Sequence, residues 1–185
     1  MKTPEQQVKT KWILDPAHSQ IAFKVKHLMI TNVKAEFKEF DASIYTSGED
    51  FMTSDIDFWL NTASVDTRDS KRDEHLKSID FFDVEKFKQI SFQGNSYEKD
   101  GNDGRFKLYG DLTIKGIKNQ VKLDVEFGGI NKDPWGNQKA GYTINGKINR
   151  KDWGLNWNAA LEAGGVLVSD EVNINCDVQL VKQSI

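Results

Sequence analysis

The chain has 185 residues, with 28 acidic against 25 basic side chains and a formal net charge of −3. This length suits one domain, which buries about 70% of the surface its unfolded form exposes and needs no disulfide or metal to fold. The charges are mixed and form no basic stripe, which argues against nucleic acid as a partner. The one cysteine, Cys176, has no internal partner and reads as a small core residue.

Met1 to Thr10 is polar and lacks the apolar run of a secretory signal. No stretch approaches the length of a transmembrane helix. The expectation is a soluble, cytoplasmic protein, with the periplasm the alternative if the chain is a processed form. Residues 1–11 read as a flexible leader and residues 12–185 as one domain. Trp12, Leu14 and a turn at Asp15-Pro16 open that domain.

From there the apolar residues recur with a period of two, the mark of a strand with one face in a core. Ile21, Phe23, Val25 and His27 share one face of a first strand. Val33, Ala35 and Phe37 mark a second, where the repeat slips to Phe40 and predicts a bulge. Ser47 to Asp50 is a turn. Ile56, Phe58 and Leu60 face inward on a third strand and leave Trp59 outside. Residues 68–78 are highly charged, with only Leu76 apolar, and predict a short exposed helix for which Thr67 is a candidate cap. Ile79, Phe81, Phe82 and Phe87 form an apolar cluster after it.

Ile90 and Phe92 begin a fourth strand. Asp100 to Gly104 is a hairpin turn. Phe106, Leu108, Leu112 and Ile114 follow on a fifth strand, with Gly110 inside it allowing a bend or close approach. A turn at Lys115 to Asn119 leads to Val121, Leu123, Val125 and Phe127, separated by Lys122, Asp124 and Glu126. After a turn at Asp133 to Asn137 come Tyr142, Ile144, Gly146 and Ile148. Residues 150–165 are irregular. Val172, Ile174, Cys176, Val178 and Leu180 complete the set. The pattern predicts an all-β fold: about eight antiparallel strands closed into a barrel, the usual way such a sheet removes its edges, with a short helix inserted near residues 68–78.

No catalytic constellation is visible. His18, His27 and His75 have no metal-ligand spacing, so no metal is expected. Ser19 has no base nearby, and no nucleophile elbow occurs. Asp170 and Glu171 face opposite ways on a strand. Arg72 and His75 share a helix face; Arg72 can grip a phosphate in two-pronged fashion, or the pair can tie the helix to the barrel rim. Trp153 and Trp157, near Arg150 and Asp152, either close one barrel end or pack a corner.

Five segments in order resemble the YceI-like family. They are Leu14 to Phe23, Arg72 to Ser78, Asp80 to Phe87, Gly110 to Gly116 and Val168 to Val172. The resemblance spans residues 12–181. Lys88, Ala35 and Trp59 depart from it, standing where the family often has proline, glycine and a small polar residue. The resemblance implies a lipocalin-like barrel around a long apolar tunnel that binds polyisoprenoids such as polyprenyl phosphates or quinone tails, or other long-chain amphiphiles. Many members are exported.

An eight-stranded barrel either fills with side chains or holds one slim ligand. If it holds one, the lining is expected from Phe23, Val25, His27, Phe37, Phe58, Leu60, Phe92, Phe106, Leu112, Val125, Phe127, Tyr142 and Ile144. Arg72, His75, Leu76, Phe81, Phe82 and Trp153 are expected at one end. The expected function is non-catalytic binding, transport or sequestration of an isoprenoid, quinone or fatty-acid-like lipid, with no cofactor and with room for a homodimer. The alternatives are an enzyme of lipid metabolism using His27 or His75 as acid–base, and an interaction module docking through an outer face that includes Trp59.

Overall fold

The computed structural model describes residues 9–101 and 103–183. Met1 to Val8 of the expected leader, Asn102 of the expected hairpin turn, and Ser184 and Ile185 lie outside the described residues. The strands are β1 (Lys9–Leu14), β2 (Gln20–His27), β3 (Thr31–Phe37), β4 (Phe40–Ser47), β5 (Asp50–Asn61), β6 (Val65–Asp66), β7 (Gln89–Lys99), β8 (Arg105–Ile114), β9 (Ile117–Lys132), β10 (Gln138–Asn149) and β11 (Glu171–Lys182). One α-helix, α1 (Ser70–Lys77), interrupts them. Lys9 to Lys11, read from the sequence as leader, pair with Tyr45 to Ser47.

Eight strands form a closed antiparallel ring, in the order β1, β4, β5, β7, β8, β9, β10, β11 and back to β1. The other three continue strands already in the ring. β1 and β2 lie end to end along β11, with Leu14 opposite Leu180 and Gln20 opposite Asp177. Between them Pro16–His18 makes a 3₁₀ turn, where proline removes a donor the ladder needs and the Asp15 side chain accepts from the Ala17 amide at 3.1 Å. The bulge expected near Phe40 is a full break. The Lys38 and Glu39 amides leave the ladder and donate to the carbonyl (3.2 Å) and side chain (3.0 Å) of Ser64. Ser64 belongs to the 3₁₀ turn Thr62–Ser64 that divides β5 from β6, so one contact explains two breaks. Past it, β6 pairs with β3 and packs beside α1.

The helix begins where the charged segment predicts, but its cap is Asp69, not Thr67. The Asp69 carboxylate accepts from the Lys71 and Arg72 amides at 3.0 and 3.1 Å. Thr67 lies too far upstream to cap. It donates its amide and hydroxyl to Asp73 at 2.8 and 2.6 Å and so ties the helix to β6.

Phe23, Phe58, Phe92, Leu112, Val125, Ile144 and Ile174 all face one shared interior. Trp59 is on the outer face, as its parity requires. The end bearing the Ser47–Asp50 turn is closed by an aromatic plug. Trp12 is fully buried and donates its indole N–H to the Thr46 hydroxyl at 3.0 Å. Phe51 lies 4.9 Å from the Trp12 ring and 5.3 Å from both Phe127 and Tyr142.

Gly94 and Gly110 face each other across β7 and β8, and the Phe92 ring lies over them. A Cβ on Gly110 would come within 2.5 Å of the Gln93 carbonyl oxygen and of the Phe92 ring. The backbone partner cannot move aside. Gly110→Ala should therefore lower stability by about 1–3 kcal/mol, whereas Gly141→Ala, with nothing within 4 Å of the added carbon, should leave it level or raise it slightly. Thermal melts of the two variants check the contrast.

Candidate functional site: an apolar cavity in the barrel

Native interiors are close-packed. This one is not: a cavity of about 390 Å³ lies within it. That lies within the range of pockets that take one small or slim molecule. The wall is built by strand periodicity, which sends alternate side chains of every ring strand to the same place.

The middle of the wall is aliphatic and phenyl: Val25, Phe58, Leu60, Phe92, Phe106, Leu112, Val125 and Ile144 all line it. Phe23, Phe37 and Phe82 line it as an interlocked trio, with ring centroids 5.7 to 6.3 Å apart. Cys176 lines it too; burial pushes its thiol up to about 11, so it is neutral and unreactive near pH 7.

Toward the plug the polar side chains of the wall, among the described residues, are Ser54, Tyr97 and Tyr142. The Tyr97 hydroxyl donates to the Ser54 carbonyl at 2.9 Å, and burial pushes its ionisation up to about 12. Tyr142 has a buried hydroxyl with no hydrogen-bond partner among the described residues, and burial pushes its ionisation far above the ordinary range. Phe127 is not in the wall. It packs on Tyr142 at 5.2 Å and on Phe51 at 5.3 Å as part of the plug.

The opposite end is bordered by His27, Arg72, His75, Leu76 and Phe81 and by residues of the irregular segment. Arg72 donates from Nε to the Thr67 hydroxyl at 2.8 Å and from Nη2 to the Thr67 carbonyl at 2.9 Å. The His75 ring stands edge-on to Trp157 at 4.6 Å and Phe81 at 5.0 Å, with Nε2 2.9 Å from an Asp80 carboxylate oxygen. Trp157, not Trp153, reaches the cavity. Trp153 is buried in a corner and donates its indole N–H to the Leu112 carbonyl at 2.9 Å.

Arg150 organises this end, and its role was not legible in the sequence. Its buried guanidinium donates from Nε to the Ser169 carbonyl at 2.9 Å and from Nη1 to the carbonyls of Leu155 and Trp157 at 2.5 and 2.9 Å. One charged side chain thereby ties down a segment with no regular structure. Burial lowers its proton affinity and Asp170, 3.7 Å away, opposes that; an arginine stays charged regardless. Tyr97 also escaped the sequence reading. A register shift between Gly94 and Ser96 inverts the parity of β7, and Gly94 within the strand is the signal that could have found it.

Among the described residues, no group of three or more His, Cys, Asp or Glu is placed to hold a metal ion. No helix of the described residues is long and apolar enough to cross a membrane.

Comparison with known proteins places this architecture. The chain is 39% identical over 171 residues to the UPF0312 protein SA2479 of Staphylococcus aureus (strain N315), covering 92% of this chain and 96% of that one. The crystal structure of the Campylobacter jejuni YCEI protein is similar with a TM-score of 0.73 at 35% identity, over 92% of this chain and 96% of its own. A polyisoprenoid binding domain from Saccharophagus degradans, implicated in plant cell wall breakdown, shares the fold with a TM-score of 0.63 at 12% identity, over 93% and 98% of the two chains. Residues 12–180 match the model of the YceI-like domain. The chain belongs to the YceI-like family.

Proposed function

We propose that the protein binds one long-chain isoprenoid or related amphiphilic lipid, non-covalently and without catalysis, as a carrier or store. The observation that carries this reading is the cavity itself: about 390 Å³ of space walled almost entirely by hydrocarbon, plugged by aromatics at one end. Each CH₂-sized group moved from water into such a wall contributes about 0.8 kcal/mol. A tail of several isoprene units therefore has enough driving force to offset its ordering. The polyisoprenoid-binding domain of the same fold supports the choice of ligand class.

Catalysis has less support. The imidazoles at the cavity are His27 and His75, and His75 already bonds Asp80. Arg72 acts as a brace of the mouth, since its two bonds to Thr67 hold α1 against β6.

Ile144 projects into the middle of the cavity, half-buried and opposite Val125 on the neighbouring strand. Ile144→Trp should fill that space, destabilise the barrel by about 1–3 kcal/mol and weaken uptake of a prenylated quinone at least tenfold. Fluorescence titration of the folded variant beside the parent tests the proposed site; equal affinities would contradict it.

Arg72→Ala separates bracing from head-group recognition. The expected outcome is a lower melting temperature and equal losses of affinity for a polyprenyl phosphate and a quinone with the same tail. A selective loss of the phosphate would instead assign Arg72 to the head group, through a charge-assisted bond contributing about 1.5–3 kcal/mol.

A further inference from the structure

The turn between β2 and β3 has the wrong residues for its shape. Leu28 and Met29 occupy its centre with φ of 54° and 62°, the left-handed region that favours glycine and asparagine. Both side chains nonetheless stay exposed. Leu28 is 40% exposed, Met29 52% and the following Ile30 79%. Three consecutive aliphatics thus stand in water at a protruding tip, two of them in a strained backbone that Asn-Gly would relieve.

The tip adjoins the cavity mouth. The Leu28 amide donates to the Leu167 carbonyl at 2.9 Å, and His27 bridges Val168; His27, Leu167 and Val168 all line the cavity. Behind the tip stand Lys24, Lys26 and Lys34. Lys24 and Lys34 sit directly opposite each other, a like-charge pairing that weakens a sheet. None of the three makes an ion pair among the described residues. The chain as a whole carries a net charge of −3, so these lysines run against the overall sign.

We propose that this tip is a membrane-docking element: Leu28, Met29 and Ile30 enter the interfacial layer of an anionic bilayer while Lys24, Lys26 and Lys34 meet the lipid phosphates. A shallow apolar insertion backed by lysines is the usual physics of reversible binding to such a surface. The convex three-residue tip is far smaller than a specific protein interface requires, which favours lipid over a protein partner. Docked this way, the mouth faces the bilayer. The proposal rests on lipid binding as the function, and extends it to where the lipid is exchanged.

The test uses the whole protein and two kinds of vesicle, phosphatidylcholine alone and phosphatidylcholine with phosphatidylglycerol. The parent should float with the anionic vesicles at low salt and leave them as salt rises. The triple variant Leu28→Asn, Met29→Gly, Ile30→Thr installs residues the turn prefers, so its melting temperature should hold or rise. It should nevertheless bind anionic vesicles at least about tenfold more weakly. It should also take up a prenylated quinone from vesicles more slowly, while its affinity for the quinone in detergent is unchanged. Replacing the three lysines with glutamine should weaken vesicle binding by a similar factor and remove the salt dependence.

Absence of parent binding to either vesicle, or equal binding by the triple variant, would overturn the proposal. Partition to a protein partner instead would show as the first of these results, because the vesicles contain lipid alone. The detergent titration stands apart: if the parent does not bind quinone there, the lipid-binding reading itself has failed.

Discussion

The pairing of Trp12, Ile13 and Leu14 with Lys182, Val181 and Leu180 turns a sheet into a ring. Once the ring is closed, every strand has two neighbours and no edge is left along most of its length. Closure also fixes which face is inside. A period of two then sends a full row of apolar side chains from each strand to one axis, and eight strands leave more room there than these side chains fill. Strand number and closure thus allow a cavity, and the side chains decide that it stays open and set its width and ends.

The two ends are built differently because they carry different burdens. One ends in short turns and is stopped by aromatic packing around Trp12 and Phe51. At the other, three strands break, and the gap is covered by α1, the Phe81–Phe82 turn and the irregular segment held by Arg150. Irregular backbone held by side-chain bonds can open at lower free energy than a strand ladder. On the proposed function, a long apolar chain would enter there. Three polar groups at that end are committed to holding the cover: Arg72 to Thr67, His75 to Asp80, Arg150 to the carbonyls of Leu155 and Trp157.

Much of this was legible in the sequence, and the reasons for the remainder are physical. Alternation identified β5 and β7 to β11 of the ring, the β2 and β3 continuations of its other two strands, and the inward set from Phe23 to Ile174, because parity is a local property; β1 and β4 themselves went unread. It missed Tyr97, just past the register shift at Gly94 where parity inverts, and it placed in the wall Phe127, which faces inward but packs into the plug. The break at Lys38 and Glu39 depends on Ser64, 26 residues from Lys38, and no local pattern reports such a contact. Arg150 was read only as a neighbour of Trp153 and Trp157, since burial of an arginine among carbonyls is a property of the folded loop alone. Of the two tryptophans near it, sequence could not choose which reached the cavity; Trp153 is anchored by Leu112, and Trp157 is the one left facing inward.

The central claim is that the cavity exists to hold a lipid chain. Native mass spectrometry of the protein isolated gently from its own host tests this most directly. The account predicts a one-to-one adduct, lost after organic extraction, whose released mass contains repeated five-carbon units. A bare-chain mass under the same gentle conditions, with no adduct formed on adding a prenylated quinone, would contradict it.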